Sequence, residues 1–412
     1  MKVCFVGLEN LPVLAREYNG HGIGGAELQQ TLLAKALAAR GYHVSMVVAD
    51  YGQSDSAAWH GVTTYKAYRA DAGLPILRFV YPRWTGTWAA LMRADADVYY
   101  TSCAGMMIGL VGMFCRRHGR GSVHRLAHDT DADPKQLLIR YTRDKKLYEY
   151  GLRKADIVLC QHAAQQKALM RNFAVSGVVA DMLVDPPARQ LDFDQRDLEI
   201  LWVSNLRDLK RPDLALQLAR QMPGRHIHMI GGPVPDFSDL YQKIESAAMN
   251  VPNLIFYGRV AYHEMGYLYD RAKIFVNTSE VEGFPNSFLQ SWCRGVPVVS
   301  FFDPNGLIRR EGLGVSPNSI DEMARAVHSL ISNETEWRET SQRCRSYMER
   351  THGDDVVLKP YIAAFNEAAR KCLRTKGTNS GTEKRASTRP HWLFRRKERL
   401  VTPGRASGSV LR

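Results

Sequence analysis

The residues best suited to chemistry lie between Val276 and Val299, in the run VNTSEVEGFPNSFLQSWCRGVPVV. A strand pattern ends near Asn277, a polar loop follows, and Pro285 stands where a helix would begin. The first backbone N–H groups of that helix, at Asn286 and Ser287, have no partner within it. Such an end attracts an anion, and a diphosphate is the natural candidate. Glu282 comes just before, with Gly283 and Phe284 between it and the proline. Its carboxylate is able to accept hydrogen bonds from sugar hydroxyls. Gln290 falls two helical turns further on, on the side facing the same ligand.

A second cluster, VSNLRDLKRPD at Val203–Asp213, follows another strand pattern and precedes a helix started by Pro212. Its cations, Arg207 and Lys210, would reach a cleft mouth where a departing diphosphate needs its growing charge stabilised. A third, GHGIGGAE at Gly20–Glu27, formally satisfies G-x-G-x-x-G, and Asp50 would imitate a ribose-binding acid. A dinucleotide fingerprint needs its glycines directly after the first strand, whereas here more than a dozen residues intervene, so a nicotinamide dehydrogenase is disfavoured. A fourth, RLAHDTDADP at Arg125–Pro134, alternates Asp129, Asp131 and Asp133 like a metal loop. The calcium version fails, because neither the glycine at its sixth position nor the glutamate at its twelfth is present.

The Glu282 segment resembles the donor-binding signature of the group 1 (family four) glycosyltransferases of the GT-B fold: a Glu, seven residues, a second Glu, a small-residue helix and a Gly-Val-Pro-Val-Val strand. Glu282 matches the first acid, which in that family contacts the donor sugar. Gln290 stands at the second, which holds the nucleotide ribose; an amide still hydrogen-bonds a diol but brings no charge. The Val203–Asp213 loop is similar to the family's Gly-Arg…Lys loop, with Lys210 at the Lys position, Asn205 at the Arg position and Arg207 as its spatial substitute. The resemblance places His128 near the donor's reacting carbon, and Gly24 and Gly25 in a first-domain loop that approaches donor or acceptor on closure. It implies retaining transfer from a nucleotide diphosphate sugar to a carbohydrate or lipid-linked acceptor, in polysaccharide or glycolipid assembly. It also implies no bound metal and no cofactor besides the substrate. The alternatives are a nucleotide-sugar epimerase of the same fold or a non-catalytic nucleotide-sugar binder.

The elements that must position these residues alternate along the chain. Strand patterns fall at Lys2–Val6, His43–Ala49, Asp97–Thr101, Ser122–Ala127, Asp156–Cys160 and Val178–Ala180, with helical ones at Gly25–Arg40, Leu137–Arg153 and Ala163–Asn172. After an aperiodic, proline-containing break, a second series runs through Glu199–Ser204, His226–Ile230, Asn253–Tyr257, Ile274–Asn277 and Val296–Phe301, and ends in helices up to Leu373. The expectation is an α/β protein of two Rossmann-like doubly wound domains facing across a cleft: 1–184 on the acceptor side, a linker at 185–198, and 199–373 on the donor side. The last helix is a candidate to cross back to the first domain.

The net charge of +13 resembles a nucleic-acid signal until it is located. From Lys371 onward twelve cations face two acids, so +10 sits in the tail and +3 in the body. Nucleic acid is therefore not an expected partner. The tail, 374–412, reads as basic and disordered, with His391–Lys397 suited to an anionic membrane surface. Seven scattered cysteines without C-x-x-C pairs point to a reducing cytoplasm. No apolar run spans a bilayer, the longest candidate being Ala104–Cys115, so membrane contact is expected to be peripheral, on the cytoplasmic face.

Overall fold

The computed structural model describes residues 1–18, 24–74, 77–187, 189–234 and 237–383, with side chains through residue 372. The first lobe is built on eight strands: β1 Lys2–Val6, β2 His43–Val48, β3 Ala58–Trp59, β4 Val62–Lys66, β5 Val98–Ser102, β6 Gly121–Arg125, β7 Ile157–Cys160 and β8 Gly177–Val179. Their order is β3-β4-β2-β1-β5-β6-β7-β8, and among the described residues only the β3–β4 pair is antiparallel. Near-continuous apolar runs such as Val3–Val6 fit this placement, since a parallel strand is covered on both faces. The β3–β4 hairpin escapes the sequence pattern because Val62–Lys66 is threonine-rich and its partner is two residues long.

The second lobe has six strands: β9 Leu198–Val203, β10 Ile227–Ile230, β11 Leu254–Gly258, β12 Ala272–Asn277, β13 Val298–Ser300 and β14 Gly314–Val315. They run β11-β10-β9-β12-β13-β14, all parallel. Strand order thus reverses between β1 and β5 in one lobe and between β9 and β12 in the other. At each reversal the two central strands send their connections to opposite faces, leaving a crevice at their carboxyl ends.

The apolar run Ala104–Cys115 lies mostly in a helix, Met106–His118, stopped by Gly119 in the left-handed region (φ 57°). This helix crosses the helix Thr142–Lys154 at two glycines. A Cβ at Gly109 would stand 2.5 Å from the Leu147 carbonyl oxygen, and one at Gly151 would stand 2.6 Å from the carbonyl carbon of Ile108. The run's low polarity therefore serves close helix packing. No helix among the described residues is long and apolar enough to cross a membrane. The Thr142–Lys154 helix starts five residues later than the apolar pattern at Leu137 suggests. Leu137 is buried in coil, so its apolar character reflects packing and not helix phase.

The chain passes between the two lobes twice, and a side-chain contact adds a further tie. The linker crosses once, and the last helix, Asp354–Glu383, returns to the first lobe. There Val357, Leu358, Tyr361, Phe365 and Ala368 complete the core around Phe5 and Tyr100. The helix runs through Glu383, ten residues into the segment 374–412; the rest of the tail, including His391–Lys397, lies outside the described residues. The third tie is the helix Gly25–Ala39, whose first turn reaches the second lobe as described below.

Arg196 anchors the linker. Buried beneath the Trp337 ring, its guanidinium donates to the carbonyls of Leu191, Asp270, Ala272 and Arg294 at 2.6–2.9 Å. Arg196→Met would leave those four carbonyls without this donor in a dry site. We expect a loss of about 3 kcal/mol in urea unfolding, because orphaned buried acceptors cost more than the bond itself contributes.

Candidate functional site

The two reversals face each other across a cleft of about 2180 Å³. A single drug-sized ligand fills roughly 300–1,000 Å³, so this space is large enough for two substrates side by side. Every site residue expected from the sequence lines it: Gly24, Gly25 and His128 from the first lobe, and Arg207, Lys210, Glu282, Gly283, Phe284, Asn286, Ser287 and Gln290 from the second.

Strand pairing brings the Glu282 and Lys210 loops together. β9 and β12 are neighbours, and the loops leaving them are pinned to each other. The Trp202 indole N–H donates to Thr278 Oγ1, which lies 2.8 and 2.9 Å from the Lys210 and Arg211 carbonyl oxygens. The Glu280 N–H donates to the Leu209 carbonyl. At the tip Lys210 Nζ sits 2.5 Å from Glu282 Oε1, and Ser279 Oγ donates to the same oxygen at 2.6 Å. Two residues with separate tasks in the sequence reading are thus one ion pair, mostly shielded from solvent. Shielding strengthens the pair, and an incoming diphosphate would compete with Glu282 for the lysine. The Arg207 side chain, by contrast, is exposed at the mouth with no hydrogen bond or ion pair among the described residues.

The helix after Pro285 is short, Asn286–Trp292, and its polar side chains are largely committed. Asn286 closes the lobes on each other: its Oδ1 accepts from Gln29 Nε2 at 2.7 Å and its Nδ2 donates to the Gly25 carbonyl. Gln29 meanwhile bonds both the N–H and the carbonyl of Leu183. The side chain of Asn286 is therefore a clasp between the lobes, leaving its backbone N–H for the anion-binding role expected from the sequence. Gly25 permits the approach, since a Cβ there would fall 2.6 Å from Asn286 Nδ2.

Gln290, expected to hold a ribose through its amide, has one end of that amide committed within the protein. Its Oε1 accepts from Arg294 Nη1 at 2.7 Å, and Arg294 also pairs with Asp270 at 2.8 Å. With its oxygen engaged, Gln290 offers the cleft N–H donors only. Arg294 already has its carboxylate in Asp270, so a neutral residue suffices at 290. The Phe284 ring packs between Trp292 and His352, anchoring the turn in the second core.

Across the cleft, His128 caps the short turn Asp129–Ala132. Its Nδ1 accepts the Thr130 N–H at 3.2 Å, which assigns the proton of the neutral ring to Nε2. The ring's outer edge faces the glycine after Glu282: a Cβ on Gly283 would stand 4.0 Å from His128 Cδ2. The alternating acids diverge into local bonds. Asp131 accepts from the Ala127 and His128 N–H groups, and Asp133 accepts from Lys135 and Gln136. Asp129 pairs with His162, whose ring holds its carboxyl below the usual range.

Two cleft residues received no role from the sequence. Gln161 donates to the Ala127 carbonyl at 3.0 Å while its Oε1 is buried without a partner, 3.4 Å from where a Gly283 Cβ would be. Glu27, in the first turn of its helix, folds back over Gly24, where a Cβ would meet its Oε2 at 2.2 Å. Burial raises its carboxyl above the ordinary 4.5, with a smaller push from the charge of Glu9. Glu27 closes the glycine-rich motif and Gln161 follows a strand end, and the folded cleft brings out what each side chain does there. The remainder of the glycine loop, 19–23, lies outside the described residues.

Comparisons with known proteins fall on the same two lobes. Residues 24–184 match the model of the glycosyl transferase 4-like domain, and residues 187–351 match that of glycosyl transferases group 1. The O-antigen biosynthesis glycosyltransferase WbnH of Escherichia coli is 22% identical over 215 residues, covering 51% of this chain and 58% of that relative. Among solved structures, sucrose-phosphate synthase from Thermosynechococcus elongatus is similar at a TM-score of 0.66 and 16% identity, covering 94% of this chain and 100% of the other. Anabaena HepE in complex with UDP and glucose is similar at 0.65 and 14%, covering 89% and 99%. These likenesses show the GT-B fold.

The raised carboxyl of Glu27 gives a pH-dependent expectation. The folded state favours its protonated form, so the stability a neutral Glu27 lends is complete below pH 4.5 and is lost as pH rises through the raised value. Glu27→Gln should therefore raise the melting temperature at pH 7, and the gain should fade as the pH is lowered towards 4.5. A pH-independent difference between the two proteins would contradict this.

Proposed function

Because this chain belongs to the group 1 glycosyltransferases, we propose that its cleft moves a sugar from a nucleoside diphosphate donor to an acceptor hydroxyl, with retention at the anomeric carbon. The observation that carries the reading is the Glu282–Lys210 pair at the β9/β12 reversal, set opposite His128. The UDP bound by the HepE neighbour and the O-antigen task of the Escherichia coli relative support a nucleotide-sugar donor and polysaccharide assembly. The size of the cleft favours a donor and an acceptor together over the donor alone that an epimerase or a passive binder would take.

In this reading the diphosphate lies against Arg207, Lys210 and the backbone of Asn286 and Ser287. Glu282, released from Lys210 as the diphosphate arrives, accepts hydrogen bonds from sugar hydroxyls. His128 donates from Nε2, and the unpartnered Oε1 of Gln161 takes a further hydroxyl proton. Gln290 donates to the ribose oxygens. The bond from the anomeric carbon to the diphosphate oxygen breaks as the bond to the acceptor oxygen forms. The acceptor's proton passes to the departing diphosphate, whose charge the two cations stabilise. The clasp between Gln29 and Asn286 holds the lobes closed and limits access of water.

Glu282→Ala should reduce transfer about a hundredfold or more, as loss of a preorganised polar contact does, while the melting temperature in the absence of donor stays near that of the parent. Undiminished turnover would remove the central assignment. Gln290→Ala should raise the KM for the donor about tenfold with kcat little changed, because it removes binding shared by ground and transition states. A panel of UDP-, GDP- and ADP-sugars in a thermal-shift assay identifies the base, since the bound donor raises stability by mass action.

A further inference from the structure

One side of the cleft mouth carries side chains ill suited to water. On the stretch 69–83, Leu74, Leu77, Val80 and Tyr81 are all more than half exposed. On the stretch 134–146, Leu138 and Tyr141 are exposed by 81% and 55%. The two stretches touch: the Arg143 guanidinium lies 3.5 Å over the Phe79 ring and within 5.9 Å of the Tyr141 ring, and Arg140 stands 5.6 Å from Tyr141. Single exposed leucines are ordinary surface, but large apolar side chains concentrated on two adjoining stretches call for a partner.

Charge narrows what that partner is. The first stretch has Arg69, Arg78 and Arg83 against Asp71; the second has Lys135, Arg140, Arg143, Lys145 and Lys146 against Asp144. Together they hold a net +6, whereas all residues up to 370 sum to +3, so the remainder of the body is net acidic. The two acids are already engaged, Asp71 by Arg69 and Asp144 by Arg143. Arg69, Arg83 and Leu138 also line the cleft, which places this rim at its entrance on the first-lobe side.

We propose that this rim seats the cleft mouth on an anionic bilayer surface. Apolar side chains such as Leu77, Val80 and Tyr141 enter the headgroup layer while the surrounding arginines and lysines face anionic headgroups. The combination of projecting apolar groups, uncompensated positive charge and an adjoining substrate entrance matches a lipid surface. An acidic protein partner would need the charge but not the projecting leucines. The inference rests on the acceptor-side reading of the first lobe, and it deepens that reading: an acceptor carried on a lipid would reach the cleft without leaving the bilayer. The expected role of the tail becomes, at most, a second anchor.

The test is sedimentation of the full chain with phosphatidylcholine vesicles, with and without about one-third phosphatidylglycerol, in the absence of donor. Binding needs no turnover, so its failure is separate from a failure of the transferase reading. The full chain should bind the mixed vesicles and not the neutral ones, and binding should weaken as salt rises. The double variant L77E/V80E and, separately, the charge reversal R140E/K146E should each reduce the bound fraction about tenfold, with melting temperature and transfer to a soluble acceptor unchanged. A chain ending at Glu383 should keep the rim-dependent part. Equal binding to both vesicle types, unaltered binding by both variants, or binding lost only with the tail would overturn the proposal. So would concentration-dependent self-association of the parent that L77E/V80E abolishes, which would make the rim a contact between copies.

Discussion

The structure depends on a constraint of parallel sheets: where strand order reverses, the two central strands have helices leaving on opposite sides, and nothing covers their carboxyl ends. This chain has two such places, β1/β5 and β9/β12, and sets them face to face. Hydrogen-bonding groups at strand ends would be costly to bury, so the gap stays polar and open to a ligand. The pairing of β9 with β12 carries the chemistry further. It places two loops far apart in sequence within reach of each other, and Thr278 and Trp202 tie them so that Lys210 and Glu282 meet.

Around that gap, side chains divide between those spent on structure and those left for a ligand. Asn286, the oxygen of Gln290, Asp131 and Asp133 are bound within the protein. Arg207, Gln161 Oε1 and the outer edge of His128 remain available. Lys210 and Glu282 are intermediate, each satisfied by the other and each able to exchange that partner for substrate. Pairing of this kind offsets part of the desolvation that each charge would bear alone in a partly shielded site. The lobes themselves are joined by the returning helix and by the Gln29–Asn286 clasp, while Arg196 fastens the linker to the second lobe, and of these the clasp lies within the cleft. That location makes the clasp the contact most exposed to change on closure.

The charge distribution follows the same economy. Most of the chain's net positive charge lies near its end, yet the body is not uniform. An excess of cations sits at the cleft entrance of the first lobe beside exposed leucines and tyrosines, and the rest of the body is net acidic. A net value near zero conceals this division, because charge balance is additive along the chain while recognition depends on which charges share a face.

The sequence by itself determined the two alternating series, the break near residue 185 and the lining of the cleft, because strand and helix periodicity and the Pro285 and Pro212 helix starts are local properties. It did not determine the β3–β4 hairpin, which is too short to show a period, nor the phase of the Thr142–Lys154 helix, where buried coil mimics a helical face. Only the tertiary structure decided that Gln290 turns its oxygen to Arg294, that Asn286 bridges the lobes and that Glu282 and Lys210 share a charge. The reason is physical: a motif specifies which groups arrive at a strand end, but their partners come from elements up to 261 residues away. Whether a polar atom faces ligand or protein is settled by which of those partners reaches it first.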